Sequence, residues 1–153
     1  MEPKTKLNEK EIHSIIKKCK VCYIGMVDGD TPYVLPFNYG FCNGVIYFHS
    51  GPDGKKFDVL TRNNKVCIAF SCDHELKIVN QEVACSYSMK YRSVLLHGKI
   101  EMVEDFREKE KALNIIMENY TGRNDFSYNS PAVNNVRVFR VKPSVTEART
   151  FGY

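Results

Sequence analysis

The sequence predicts a mostly β fold, a small closed or partly open barrel of about six antiparallel strands with helices flanking it. Three observations carry that expectation. Short runs of alternating apolar residues recur along the chain, as a half-buried strand requires. Tight-turn signals separate several of them, notably Asp28-Gly29-Asp30 and Asn43-Gly44. Only a few stretches show the 3.6-residue period of a helix, and sheet closure then removes vulnerable strand edges.

The elements follow in order. Asn8-Glu9-Lys10-Glu11 has the form of a helix start, with Asn8 as cap and Glu11 reaching back to its amide. Ile12, Ile15, Ile16 and Cys19 then share one face, which predicts a helix over about 8–20. Residues 21–27 and 32–39 read as strands, and Pro36 in the second marks an edge, a bulge or a place where a ligand approaches. Residues 45–49 form the third strand, and a glycine-rich loop leads to a short helix over about 55–62. Residues 66–72 form a fourth strand, and 76–87 read as a strand followed by a loop. Residues 93–103 make the longest extended run, in which Gly98 marks a bulge. A helix over about 105–120 offers Phe106, Ala112, Leu113, Ile116 and Met117 as its apolar face. Residues 121–132 read as a loop with one helical turn, and 136–141 as the final long strand. No repeat or internal boundary appears, so the expectation is one domain over 1–153.

Composition excludes several classes. The chain has 153 residues, 43% of them apolar, enough to bury a core without staples. Its 22 Lys and Arg against 18 Asp and Glu leave a net charge of +4, and most of these charges alternate in sign along the chain. That is no nucleic-acid footprint, and the aromatics fall in core-like alternation instead of an exposed stacking stripe. No run approaches the length of a membrane span. The polar first eight residues lack a signal-peptide core, and the six cysteines mostly sit in apolar surroundings, so a reducing cytoplasmic setting is expected. Cys19-x-x-Cys22 has the spacing of a redox pair or half a zinc site, but no second pair completes it and the reading is packing, with no metal. His13, His74 and His97 read as helix-surface, turn and barrel residues.

Three segments carry polar chemistry. In Tyr47-Phe48-His49-Ser50-Gly51-Pro52-Asp53-Gly54-Lys55-Lys56, a strand ends in a hydroxyl-bearing, glycine-rich loop and two lysines open a helix. That pattern suits an anion, although an ordinary turn with solvated lysines has the same residues. In 32–40, Asn38 offers donors and acceptors, and Phe37 or Tyr39 could flank a planar ring or simply fill the core. In Tyr91-Arg92-Ser93-Val94, Arg92 could clamp a phosphate with help from Ser93, or lie free on the surface.

Together these segments resemble the flavin-binding split-barrel proteins related to pyridoxamine phosphate oxidase, and within them the nitroimidazole-resistance branch. The resemblance runs from about Ile12 to Val141 through Tyr-Val-Leu-Pro-Phe-Asn-Tyr-Gly at 33–40, Ile-Tyr-Phe-His-Ser at 46–50, Gly-Lys-Lys-Phe-Asp at 54–58, Arg-Asn-Asn-Lys-Val-Cys at 62–67 and Tyr-Arg-Ser-Val at 91–94. It implies a split β-barrel of FMN-binding type, with FAD an alternative, assembled as a homodimer with flavin at the interface. Pro36, Phe37, Asn38 and Tyr39 would line the flavin, with His49 and Ser50 close by. Lys55 and Lys56 stand in place of the oxidases' Arg-Lys phosphate clamp, with Arg92 a further phosphate candidate. Ser93 falls where the oxidases carry a flavin-binding glutamine. No counterpart of the oxidases' C-terminal substrate motif is present, which speaks against pyridoxamine phosphate as substrate. The implied activity is reduction of small acceptors such as nitroaromatics, with NAD(P)H as donor and His49 as catalytic proton donor. The alternative is a non-catalytic flavin- or haem-binding module.

Overall fold

A computed structural model describes residues 2–153; Met1, the first of the polar leading residues, lies outside that range. The chain opens with α1 (Glu9–Lys18), which starts as its sequence dictates: the Asn8 side chain accepts from the Glu11 amide, and Glu11 accepts from the Asn8 amide. Next come β1 (Cys22–Asp28) and β2 (Thr31–Phe37), an antiparallel hairpin. Then β3 (Gly40–Cys42) and β4 (Val45–Ser50) pair around Asn43-Gly44, whose residues both take positive φ, at 49° and 76°. Asn and Gly tolerate that conformation, and it matches the twist of a two-residue hairpin. The strand expected over 32–39 ends at Phe37, and β3 begins after Asn38 and Tyr39.

Helix α2 (Lys55–Arg62) leads to two long strands, β5 (Lys65–Ile78) and β6 (Tyr87–Val103). Helices α3 (Phe106–Thr121) and α4 (Ser130–Asn135) precede β7 (Arg137–Val141) and β8 (Val145–Phe151). The strands form one eight-stranded sheet in the order β2-β1-β5-β6-β7-β4-β3, with β8 on β6 off this path. The sheet stays open, with β2 and β3 at its ends. Pro36 sits on the edge strand β2, where a missing amide costs no ladder bond.

The structure corrects the sequence expectation at three places. There are eight strands, not about six, because β8 was missed and β3 stands alone. The stretch 76–87 is strand and then loop, but its strand is the end of β5 and not a separate one: Glu75–Ile78 pairs with 87–90 to extend β5 and β6 into an arm, past a register shift between Cys72 and Glu75. Gly98 is not a bulge, since its pairing with Val66 continues the register. A Cβ there would lie 2.7 Å from Val141 Cγ1, so glycine permits a close strand approach where β6 passes from β8 to β7.

Alternation decides the layers. Ile24, Met26, Ile46, Phe48, Ile68, Phe70, Val94 and Leu96 point inward and are buried with Ile15 and Ile16 of α1. Each contributes roughly 1.5–3 kcal/mol through burial. A second cluster of Val103, Ala112, Leu113, Val133 and Val138 fastens α3 and α4 to the other face of the sheet. Helix α3 comes very close to β3: a Cβ on Gly40 would lie 2.6 Å from the Ile116 nitrogen. No helix among the described residues is long and apolar enough to cross a membrane.

Candidate functional site

The segment from β4 into α2 forms a cationic end of the barrel. Gly54 caps α2 with φ 136°, and no side chain caps the helix's first turn. Asp28, at the end of β1, takes two cations, with Lys55 Nζ at 3.0 Å and Arg62 Nη2 at 2.7 Å. The Lys55 hydrogen bond is the foremost cause that lowers the Asp28 pKa. Lys55 also lies over the Tyr33 ring, 4.8 Å from its centroid. The two lysines are thus not equivalent. Lys55 is held by its own chain, whereas Lys56 forms no ion pair among the described residues.

Arg137 belongs to the same region, and sequence reasoning missed it. It pairs with Ser50 across β4 and β7, which places the two side chains on one face. Its guanidinium lies over Phe57, 4.5 Å from the ring centroid, while Lys56 Nζ lies 5.0 Å from the same centroid. A depression of about 530 Å³ opens beside them, lined by Phe57, Arg62, Asn64, Ile100, Met102 and Arg137. Asp53 and Asp58 lie in the same segment, but among the described residues only Asp28 is ion-paired here, which leaves Lys56 and Arg137 available to an anion.

The other expected residues divide. Pro36 and Asn38 are exposed on and just after the edge strand. The Phe37 ring turns into the barrel, edge-on to Phe48 and Phe139 with centroids 5.7 Å away in each case. Tyr39, expected beside a ligand, has its side chain wholly buried. Its hydroxyl faces two carbonyls at the end of α1, Ile16 and Cys19, the latter at 2.7 Å. Its backbone is held by Tyr120 and Asn119 of α3, so it is a structural clasp.

His49 follows Phe48, pairs with Val138 and points to the opposite face of β4 from Ser50. It retains solvent contact, yet desolvation lowers its pKa from the usual 6.5. Arg92 and Ser93 are not brought to this end within one chain. They lie eleven and ten residues along β6 from Val103, which joins the β7–β4 ladder through Val138. That is roughly 33 Å of strand at about 3.3 Å per residue. Arg92 pairs with Asp73 and stacks on Tyr153, 3.8 Å from the ring centroid. Ser93 lies in a separate depression of about 540 Å³, with Tyr91, Leu95, Thr146, Glu147 and Arg149.

The cysteines form no disulfide among the described residues. Cys19 and Cys22 are buried, and desolvation pushes the Cys19 thiol up to about 12 and the Cys22 thiol up as well. Neither has the lowered pKa of a reactive thiol. No group of three or more potential metal ligands occurs among the described residues.

The family model described as pyridoxamine 5'-phosphate oxidase matches residues 8–150. The chain belongs to that family. Among solved structures, this family member is similar to a proposed 5-nitroimidazole antibiotic resistance protein from Bacteroides thetaiotaomicron. The two are 42% identical with a TM-score of 0.87, over 98% of this chain and 88% of that one. The FAD and haem binding protein of Mycobacterium smegmatis has a TM-score of 0.87 at 12% identity, covering 98% of this chain and 74% of that one. A flavocytochrome from Azotobacter vinelandii has a TM-score of 0.82 at 16% identity, over 97% and 70%. These last two share the fold alone. No curated protein sequence matches the chain. Its split barrel and its flavin-related family are thereby established, and Lys56, Arg137 and Ser50 form a donor set that fits a phosphate-bearing cofactor.

Proposed function

We propose that this protein is a flavin-dependent reductase of small organic acceptors such as nitroaromatics, with a nicotinamide donor. The observation that carries the reading is the cationic barrel end, where Lys56 and Arg137 form no ion pair among the described residues. The similarity to a proposed nitroimidazole resistance protein supports the substrate class. When bound, the flavin supplies the hydride and electron chemistry. The chain's own residues then bind and orient. Lys56, Arg137 and Ser50 hold the phosphate, Pro36 and Asn38 border the ring from the edge strand, and the backbone of Phe37 supports them. His49 exchanges a proton with the acceptor during its reduction.

The working unit in this proposal is a homodimer. The arm residues Leu76, Ile78, Tyr87 and Met89 pair on one face of a two-stranded ribbon, all exposed, while Glu75, Lys77, Ser88 and Lys90 occupy the other. On β6 that apolar face continues through Tyr91, Ser93 and Leu95 along the outer side of the sheet. The extra residue at the β5 register shift keeps both strands in phase. A second copy covering this face would bring Arg92 and Ser93 toward its flavin. Six free cysteines suit the reducing cytoplasm as its setting.

The test is direct. The purified protein should be yellow, or take up added FMN or FAD, and the bound flavin should bleach with reduced nicotinamide and regain colour with a nitroaromatic. A colourless protein that refuses both flavins overturns the reading. Bound flavin that never bleaches leaves a flavin-binding module and overturns the reductase. Leu76→Lys with Met89→Lys should yield a monomer that loses flavin, and an unchanged dimer would remove the arm from the interface.

A further inference from the structure

We propose that Cys19 and Cys72 are an oxidisable thiol pair, whose disulfide fastens the end of α1 to β5 at the base of the arm. The two thiols are in hydrogen-bond contact. Three further contacts fix the segments that carry them. Lys18, the residue before Cys19, is ion-paired with Asp73, the residue after Cys72. The Cys19 sulfur accepts from the Ser71 amide, and the Cys19 carbonyl accepts from the Tyr39 hydroxyl at 2.7 Å. Helix end and strand are thus held together around the two sulfurs, which makes their reaction effectively intramolecular. Cys72 shares the inward side of β5 with Ile68 and Phe70, away from the outer face that a second copy would cover.

The sequence spacing Cys19-x-x-Cys22 points to a different pair, which the structure does not favour. Cys22 is wholly buried, and its thiol donates to the Phe37 carbonyl at 3.6 Å. Cys72 is half-buried and gives an oxidant its entry. The oxidant is a peroxide. The deprotonated Cys72 sulfur attacks one peroxide oxygen, the O–O bond breaks, and the departing hydroxide takes up the thiol's proton as water. Cys19 then attacks the resulting sulfenic acid, the S–O bond breaks, and hydroxide leaves with the Cys19 proton as a second water. Two electrons pass from the sulfurs to the peroxide. Burial pushes the Cys19 thiol up to about 12 and raises Cys72 as well, so the first attack is slow at neutral pH and quickens with alkalinity. The same burial leaves the reduced pair without a stabilised thiolate, so the disulfide persists once formed.

The experiment exposes the full chain to hydrogen peroxide at mildly alkaline pH and alkylates the remaining thiols in denaturant. The unreduced tryptic peptides are then mapped by mass spectrometry. Lys20 separates Cys19 from Cys22, so their peptides are distinct. The Cys19 peptide should be joined to the one carrying Cys72, two hydrogens lighter than their sum. Cys67 shares that second peptide, so the link should survive Cys67→Ser and vanish in Cys72→Ser. The linked wild type should melt roughly 5 °C or more above the reduced protein, because the cross-link constrains the unfolded chain. Dithiothreitol should reverse the rise, and Cys72→Ser should never show it. A link from Cys19 to Cys22 or Cys67 overturns the proposal, as does alkylation of both Cys19 and Cys72 after peroxide. A linked protein that melts no higher than the reduced one overturns the fastening. No readout uses bound flavin, so the outcome is separate from that of the functional reading.

Discussion

The Arg137 guanidinium of β7 lies over the Phe57 ring of α2, 4.5 Å from its centroid. This joins two elements eighty residues apart at the cationic end of the barrel. The ring is also part of the core, edge-on to Phe139 with centroids 6.3 Å apart. Phe57→Leu keeps most of the apolar volume and removes the π face. We expect a stability loss of about 1–2 kcal/mol in urea denaturation. FMN affinity should fall several-fold, because Lys56 and Arg137 persist without the ring they lie over.

His49 gives a pH-dependent outcome. Its folded pKa is lowered from 6.5 by desolvation, so the unfolded chain takes up its proton first as pH falls. The contribution of neutral His49 to stability is therefore complete above pH 6.5 and is lost as pH drops through the lowered folded value. His49→Gln should flatten the fall in melting temperature on acidification below pH 6.5. The same variant should retain bound flavin yet reduce nitroaromatics at least about a hundred-fold more slowly. Equal turnover would deprive His49 of its proposed role.

Tyr39 separates structure from binding. Its hydroxyl serves the Ile16 and Cys19 carbonyls at the end of α1. Tyr39→Phe leaves two buried acceptors without that donor, which costs about 1–3 kcal/mol. Flavin affinity should stay within about two-fold of the wild type, since the ring lies wholly inside. Thermal melts and a flavin titration on one preparation check both.

Asp73 ties the helix to the arm. It accepts from Lys18 of α1 and Arg92 of β6, with Lys18 the foremost cause of its lowered pKa. Asp73→Asn should destabilise the protein by about 1–2 kcal/mol at pH 7, because two cations lose a shared, mostly buried carboxylate. That stability is present above the usual value of 3.8 and lost as pH falls through the lowered one. The variant and wild type should therefore converge in strong acid.

Local rules made much of the fold legible. Asn8 and Glu11 announce the start of α1, Asn43-Gly44 announces its hairpin, and alternation over β4 and β7 assigns their inward faces. β8 escaped because Thr146, Glu147 and Arg149 are exposed and its apolar residues do not alternate as a buried strand would. The arm escaped because its register shift turns on Asp73, whose positive φ of 57° no glycine advertised. At the site, the lysines after β4 were visible as a pair, but their inequality was not, since Asp28 lies far back in the chain.

What the sequence alone determined is whatever depends on neighbours within a few residues: caps, tight turns, inward faces, and the motif order that marks the family. Tertiary structure decided which cation remains free, that Arg137 stands beside Ser50, and that Tyr39 is clasped inside while His49 faces away from Ser50. Hydrogen-bonding and period are local properties of a chain, whereas the neutralisation of a charge depends on which distant groups the fold brings within a few ångströms.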